Sequence, residues 1–396
     1  MRDKLQLVFI IFISLIFFNA WIISPIIASG DFWYFFPSMI HNFSIYPQAW
    51  YGVVGNGLGG SGIVYQNPVL NFATALNVVS IFNLSWEYVS KFLFYFPFVI
   101  TSILSSIFLV KKILPKNLIW VSTPIIFLLN TYSLMLVGGG QILLALAYAI
   151  MPFTIYEFIR LMNQSKNNLL NVSIAGSFLA FQTVLDLRMA FITFFGGFIY
   201  YLVVNFVDFK LGLFIKRSIV LLGVVIITVL LQAYWILPTL LYGLDPIKEL
   251  GIDYSSIGIV NFLSFARLEN SISLLHPYWP ENIFGKIYFM KPEFLVLPIL
   301  AFISVIFLKN EEKKTKTIIL FFAIFSLISV FLAKGSSDPF GNIYIWLFSH
   351  VPGFQLFRDS FKWYISISFS YSILITYSLN KISDLLKNRF NINHSK

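Results

Sequence analysis

The sequence predicts an all-α, polytopic integral membrane protein of about ten transmembrane helices, with both termini cytoplasmic and a long first outer loop. Three observations carry that prediction. The first is the apolar excess. Of 396 residues, 58% are hydrophobic and 11% charged, with a mean hydropathy of +0.82, whereas soluble chains carry roughly 25% charged residues. Such a chain cannot cover itself with a wettable surface, so a lipid bilayer is its natural solvent. The second is that the apolar residues fall in runs near the ~20 residues that cross a hydrocarbon core. The third is that Lys and Arg collect in alternate gaps between those runs, as cytoplasmic loops do.

The runs are 5–28, 88–110, 117–136, 141–160, 169–186, 189–207, 218–239, 294–308, 317–333 and 363–380. The first follows Met1-Arg2-Asp3-Lys4 and resembles a signal peptide. Its apolar stretch is too long and has no good small-x-small cleavage site, so it reads as an anchor helix. The Asn130-Thr131-Tyr132 triplet ends the third run and Gly138-Gly139-Gly140-Gln141 opens the fourth. A tight turn from Gln182 to Arg188 joins the fifth and sixth. The eighth and ninth are short. With the N-terminus inside, the inner segments hold 18 of the 27 basic residues and 6 of the 17 acids, a balance of +12 against −2 outside. An odd number of spans would break that bias in the second half. The whole chain, 1–396, thus reads as a single transmembrane domain. Its outer segments are about 29–87, 240–293 and 334–362, and 381–396 is a short basic cytoplasmic tail.

Composition excludes several functions. The net charge of +10 is an orientation signal, so no nucleic-acid partner is expected. There is no cysteine, which removes disulfides, thiolate metal sites and a Cys nucleophile. There are 4 His without HExxH or paired spacing, which argues against zinc. No GxSxG supports a serine hydrolase. The glycine-rich stretch from Gly52 to Gly62 matches neither a dinucleotide fingerprint nor a P-loop. Asn42-Phe43-Ser44 and Asn83-Leu84-Ser85 are sequons of a kind that arises often by chance.

Chemistry-bearing residues gather at the outer boundary. Asp31, in Gly30-Asp31-Phe32-Trp33, is the sole acid from 29 to 86. Its aromatic neighbours suit the interface, where partial desolvation favours general-base work. The alternative is that it caps a following amphipathic helix. Asp186 and Arg188 either pair with each other or face a site shared with Asp31. His276, in His276-Pro277-Tyr278-Trp279, is a base, a metal ligand or an interfacial packing residue. Arg358 and Lys362 fall on one helical face just outside the last run. Two cations there suit a phosphate or snorkel to lipid headgroups.

Taken together, the first helix, the outer segment opening on Gly30-Asp31-Phe32, the stretch Leu129–Gln141 continuing to Met151-Pro152, and Val351-Pro352-Gly353-Phe354 with Phe357–Trp363 resemble the GT-C superfamily of membrane glycosyltransferases. The likeness is to relatives of the arabinofuranosyltransferase AftD and to YfhO-type membrane proteins. It implies a sugar donor carried on a polyprenyl phosphate and a glycan, lipid or protein acceptor at the outer face of the cell membrane. It further implies that Asp31 is the base or metal-linked acid, with a divalent cation such as Mg or Mn as a candidate cofactor. The paired-acid form Asp-x-Asp is missing, because residue 33 is Trp. Many relatives carry outer sugar-binding modules, so a chain stopping after the tenth run would be minimal, split or inactive. The leading expectation is a lipid-phosphate-sugar-dependent glycosyltransferase. In it Asp31 and Asp186 act on the acceptor, while Arg188, Arg358, Lys362 and His276 contact substrate. The alternatives are a non-enzymatic lipid-carrier translocator or envelope assembly factor, and an inactive relative.

Overall fold

A computed structural model describes residues 2–24, 26–28, 30–32, 34–37, 40, 72–114, 119–164, 168–242, 256–275 and 292–389. His276, the glycine-rich stretch, the first sequon and most of the second outer segment lie outside them. The described residues are helical and contain no strand. Helices α1 (Arg2–Phe17) and α2 (Asn19–Ile23) precede an extended stretch, and α3 (Phe72–Phe82) leads to α4 (Trp86–Ile113). There follow α5 (Ser122–Leu128), α6 (Thr131–Gly138), α7 (Ile142–Asn163), α8 (Leu169–Leu185), α9 (Leu187–Val207) and α10 (Leu211–Leu231). Short helices α11 (Ala233–Tyr242), α12 (Ile257–Leu263) and α13 (Leu268–Ile272) precede α14 (Val296–Ile306), α15 (Lys313–Ala333), α16 (Gly341–His350) and α17 (Tyr364–Arg389).

Six of these helices, among the described residues, are long and apolar enough to cross a membrane: α4, α7, α9, α10, the Pro292–Lys309 helix containing α14, and α15. Their outward faces carry large apolar side chains exposed as only lipid would tolerate, such as Phe92, Leu104, Leu222, Ile299 and Ile306.

The other four expected runs take different forms, each for a local reason. The first run is broken at Phe18 into α1 and α2. The fifth is the 17-residue α8. The run 117–136 is not continuous, because Asn130 interrupts it. The Asn130 amide oxygen accepts from Tyr132 N and Ser133 N at 3.1 and 2.9 Å, capping α6, while its NH2 donates to Ile126 O and Phe127 O at the end of α5. One side chain thereby satisfies groups at both helix ends.

The last run, α17, is long enough but rich in hydroxyls. Ser366, Ser368, Ser370, Ser372, Thr376 and Ser378 are all fully buried. It is the inner post of the bundle, packed against α5, α6, α14 and α15. Small side chains let helices approach closely where no hydrophobic drive exists between them. The same device joins α4 to α7, where Ser105 Oγ donates to Ala149 O at 2.6 Å. Helices α4, α7, α9, α15, α17 and α5 close a ring, with α10 packed outside on α8 and α14 outside on α17.

The two ends of the bundle differ in chemistry. One end gathers the predicted inner segments through polar ties. Lys111 pairs with Asp3 at 2.7 Å, Lys313 with Asp208 at 2.6 Å, and Lys381 with Glu311. The buried Arg217 donates to Met162 O and Asn205 Oδ1. Hydrogen bonding to Lys313 holds the Asp208 carboxyl below its usual range. The opposite end carries Asp31, Gln141, Asp186, Arg188, Lys334 and Lys362.

Candidate functional site

Four stretches distant in sequence build the site at that second end. The first is Gly30-Asp31, after α2. Gly30 has φ +52°, and a Cβ on it would lie 2.1 Å from Gly139 O, so only glycine fits. Asp31 N donates to that same Gly139 O at 3.0 Å. The first outer segment is thereby pinned to the α6–α7 turn. Asp31 does not cap a helix, and its side chain is exposed. The expectation of a desolvated Asp31 is corrected here: the burial falls on its neighbour Phe32, which stacks in a cluster with Trp86, Phe94 and Tyr95.

The second stretch is Gln141, at the head of α7. Its Nε2 donates to Asp31 Oδ2 at 3.3 Å, and its Oε1 accepts from Lys362 Nζ at 2.7 Å. The third is the turn before α17. Lys362 is wholly buried, with its ammonium 4.4 Å from the centre of the Phe361 ring and 4.0 Å from Asp359 Oδ2. Burial pulls the Lys362 amine down from 10.5 to about 7, and the Arg188 charge pulls the same way, while Asp359, Asp186 and Asp31 resist. Desolvation of an ammonium has this sign.

The fourth stretch is the α8–α9 junction. Asp186 caps α9, accepting from Arg188 N and Met189 N at 2.9 and 3.2 Å. It also takes the Arg188 guanidinium in a two-pronged pair, with Nη2 to Oδ2 at 2.6 Å. The two residues are therefore partners, which was one of the two readings open to sequence. Both Asp186 carboxylate oxygens are thus engaged by Arg188 and the first turn of α9. Tyr132 of α6, fully buried, sits in the field of Arg188, Asp186 and Asp359.

The structure thus brings Asp31, Asp186, Arg188 and Lys362 into one electrostatic neighbourhood. Arg358 stands half-buried one residue before Asp359. His276 lies outside the described residues. Sequence reasoning passed over Asp359 and gave Gln141 no role beyond opening a span. The signal for Gln141 was present, since it is the one polar side chain between three glycines and a long apolar helix.

A few residues past Asp31 in the chain, Tyr34 and Phe35 join Trp86, Ser80, Asn83 and Ser85 in lining a cavity of about 490 Å³. Below it, α1, α2 and α4 frame a wholly apolar groove of about 200 Å³ along Ile11, Phe18, Trp21 and Ile103.

A divalent cation fits this site poorly. Among the described residues no cluster of three acids or histidines could hold one. Asp186 is committed to Arg188, Asp359 faces the Lys362 ammonium, and both cations oppose a third positive charge. Comparison with known proteins gives no match: no family model, no curated protein and no solved structure corresponds to the chain.

Proposed function

We propose that the chain is a membrane glycosyltransferase of the GT-C type. It would take a sugar from a polyprenyl-phosphate carrier and pass it to a glycan, lipid or protein hydroxyl at the outer face of the cell membrane. One observation carries the reading. The Asp31 carboxylate stands two hydrogen bonds, through Gln141, from the Lys362 ammonium. A proton acceptor open to solvent and a buried cation thus share one end of the bundle.

In this reading the acceptor hydroxyl oxygen bonds to the sugar's anomeric carbon and gives its proton to Asp31. The bond between that carbon and the phosphate oxygen breaks, and its electron pair stays on the phosphate. Lys362, with Arg188 in its field and Arg358 in the same stretch before α17, stabilises the departing charge in a low-dielectric setting. The aromatic and polar walls of the cavity beside Tyr34 suit a sugar ring, and the apolar groove suits a hydrocarbon chain. The topology proposed with this is ten spans, with N- and C-termini cytoplasmic. A translocator would want an open polar route across the bundle, whereas the hydroxyls of α17 are packed shut.

The test is transfer from a labelled polyprenyl-phosphate sugar by membranes containing the chain. Asp31→Asn is expected to lower transfer at least ~100-fold, the usual scale for losing a general base. Full retention of transfer would overturn the role of Asp31. Absence of transfer by the unaltered chain, across a panel of polyprenyl-phosphate sugars, would overturn the enzyme reading.

A further inference from the structure

We propose that Gln141 is a positioning residue, whose side-chain amide ties the Asp31 carboxylate to the Lys362 ammonium and holds the two in fixed register toward an anionic headgroup. The proposal extends the reading above and borrows from it only the identity of the ligand.

The geometry leaves the amide one orientation. A protonated Lys362 has only N–H to give and an ionised Asp31 only lone pairs, so Oε1 faces the lysine and Nε2 the aspartate. Each end of the amide is matched to its neighbour, and a flip would set two donors and two acceptors face to face. Three features make this contact a functional device as well as packing. Lys362 is wholly buried, so its charge depends on the partners the protein supplies. Asp31 is exposed, so it meets ligand and solvent directly. The amide between them carries no charge and does not titrate, so it couples the two groups without exchanging a proton with either.

The groups facing Lys362 come from every side: Asp31 from the segment after α2, Asp186 and Arg188 from the α8–α9 junction, and Asp359 from its own turn. Of these elements and α7, it is α7 that supplies the short 2.7 Å bond. Asp359 stands at 4.0 Å, the outer edge of an ion pair. Gln141 therefore makes the short bond to Lys362, alongside the Asp359, Asp186 and Asp31 charges that favour its proton against burial and Arg188. Its two neighbours in function sit at opposite ends of one side chain, so any shift of α7 moves both.

The test reads Lys362 directly. The full chain is prepared in detergent micelles with 13C-labelled lysine, and the Lys362 signal is identified by its loss in Lys362→Arg. Its titration is followed by NMR in the unaltered chain, Gln141→Leu and Gln141→Glu. The unaltered lysine is expected to titrate near pH 7. Gln141→Leu removes the acceptor, and the midpoint is expected to fall by at least ~1 pH unit, a tenfold loss of proton affinity. Gln141→Glu keeps the shape and adds a charge, and the midpoint is expected to rise by at least as much. A Gln141→Leu midpoint within ~0.3 unit of the unaltered chain would overturn the proposal, as would a Gln141→Glu midpoint that does not rise.

Added undecaprenyl phosphate in the same micelles should raise the unaltered midpoint, and undecaprenol, which lacks the phosphate, should leave it in place. An equal response to both would overturn the headgroup part. No sugar transfer is needed for any of these readings. A failed transfer assay therefore leaves the positioning role standing, and an unmoved midpoint removes that role while transfer remains intact.

Discussion

At the scale of single residues, the site is governed by which charge is buried. Lys362 is sealed under Phe361 and the head of α17, and Asp31 stands in the open. The consequence for stability has a definite sign. The folded-state amine sits near 7 and the ordinary one at 10.5. Between those values the unfolded chain binds more protons than the folded one, so folding stability rises as pH increases through that window. Below pH 7 both forms are protonated and the penalty for burying the ammonium is at its largest. The melting temperature of the unaltered chain is therefore expected to gain on that of Lys362→Met between pH 7 and about pH 9. A difference that stays flat, or runs the other way, would contradict a buried depressed lysine. Nearby, Gly30 makes a second residue-scale point. Gly30→Ala forces a Cβ against Gly139 O at a positive φ. It is expected to cost about 1–3 kcal/mol and to loosen Asp31 from the α6–α7 turn, seen as a lower melting temperature together with reduced transfer.

At the scale of elements, joints matter more than spans. Asn130 ends α5, starts α6 and so delivers Gly139-Gly140-Gln141 to Asp31. Asn130→Ala removes the cap on Tyr132 N and Ser133 N and the amide donor to the part-buried Ile126 carbonyl, while Phe127 O keeps the Tyr148 hydroxyl as a donor. The expected loss is about 2 kcal/mol, measurable as an earlier unfolding midpoint in a denaturant series.

This joint also shows what sequence can and cannot reveal. Apolar runs disclosed α4, α7, α9, α10 and α15, because hydropathy over 20 residues is a local property. The Asn130 break was visible as a polar triplet but looked like a span's end, since nothing local says that a short helix follows. The buried hydroxyl face of α17 read as an ordinary span, because composition does not tell lipid-facing from protein-facing residues. The site behaved likewise. The residues Asp31, Asp186, Arg188 and Lys362 were legible as polar groups beside apolar runs. Their burial was not, because it depends on which of four distant stretches closes over which. Desolvation was assigned to Asp31 on the strength of its aromatic neighbours, and the fold placed it on Lys362.

At the scale of the whole molecule, the ring of α4, α7, α9, α15, α17 and α5 has one end tied by the predicted inner cations and another holding the candidate site. The proposed topology puts the first end in the cytoplasm, on the charge asymmetry of the sequence, since Lys and Arg resist translocation. Helix directions tie the two ends together as a set. Helices α7 and α17 run from Gln141 and Lys362 toward Arg160 and Lys381, and α15 runs back from Lys313 to Lys334. If one of them crossed in the opposite sense, the whole bundle would have to invert. The chain has no cysteine, so single introduced thiols report sidedness without background. Exposed positions are available at both ends: Lys112 and Lys387 at one, Asp338 at the other. In intact cells a membrane-impermeant maleimide is expected to label Asp338→Cys, and to reach Lys112→Cys and Lys387→Cys only after permeabilisation. Labelling of Lys387→Cys in intact cells with Asp338→Cys protected would turn the bundle over. The site would then face the cytoplasm, and a donor presented at the outer face could not reach it.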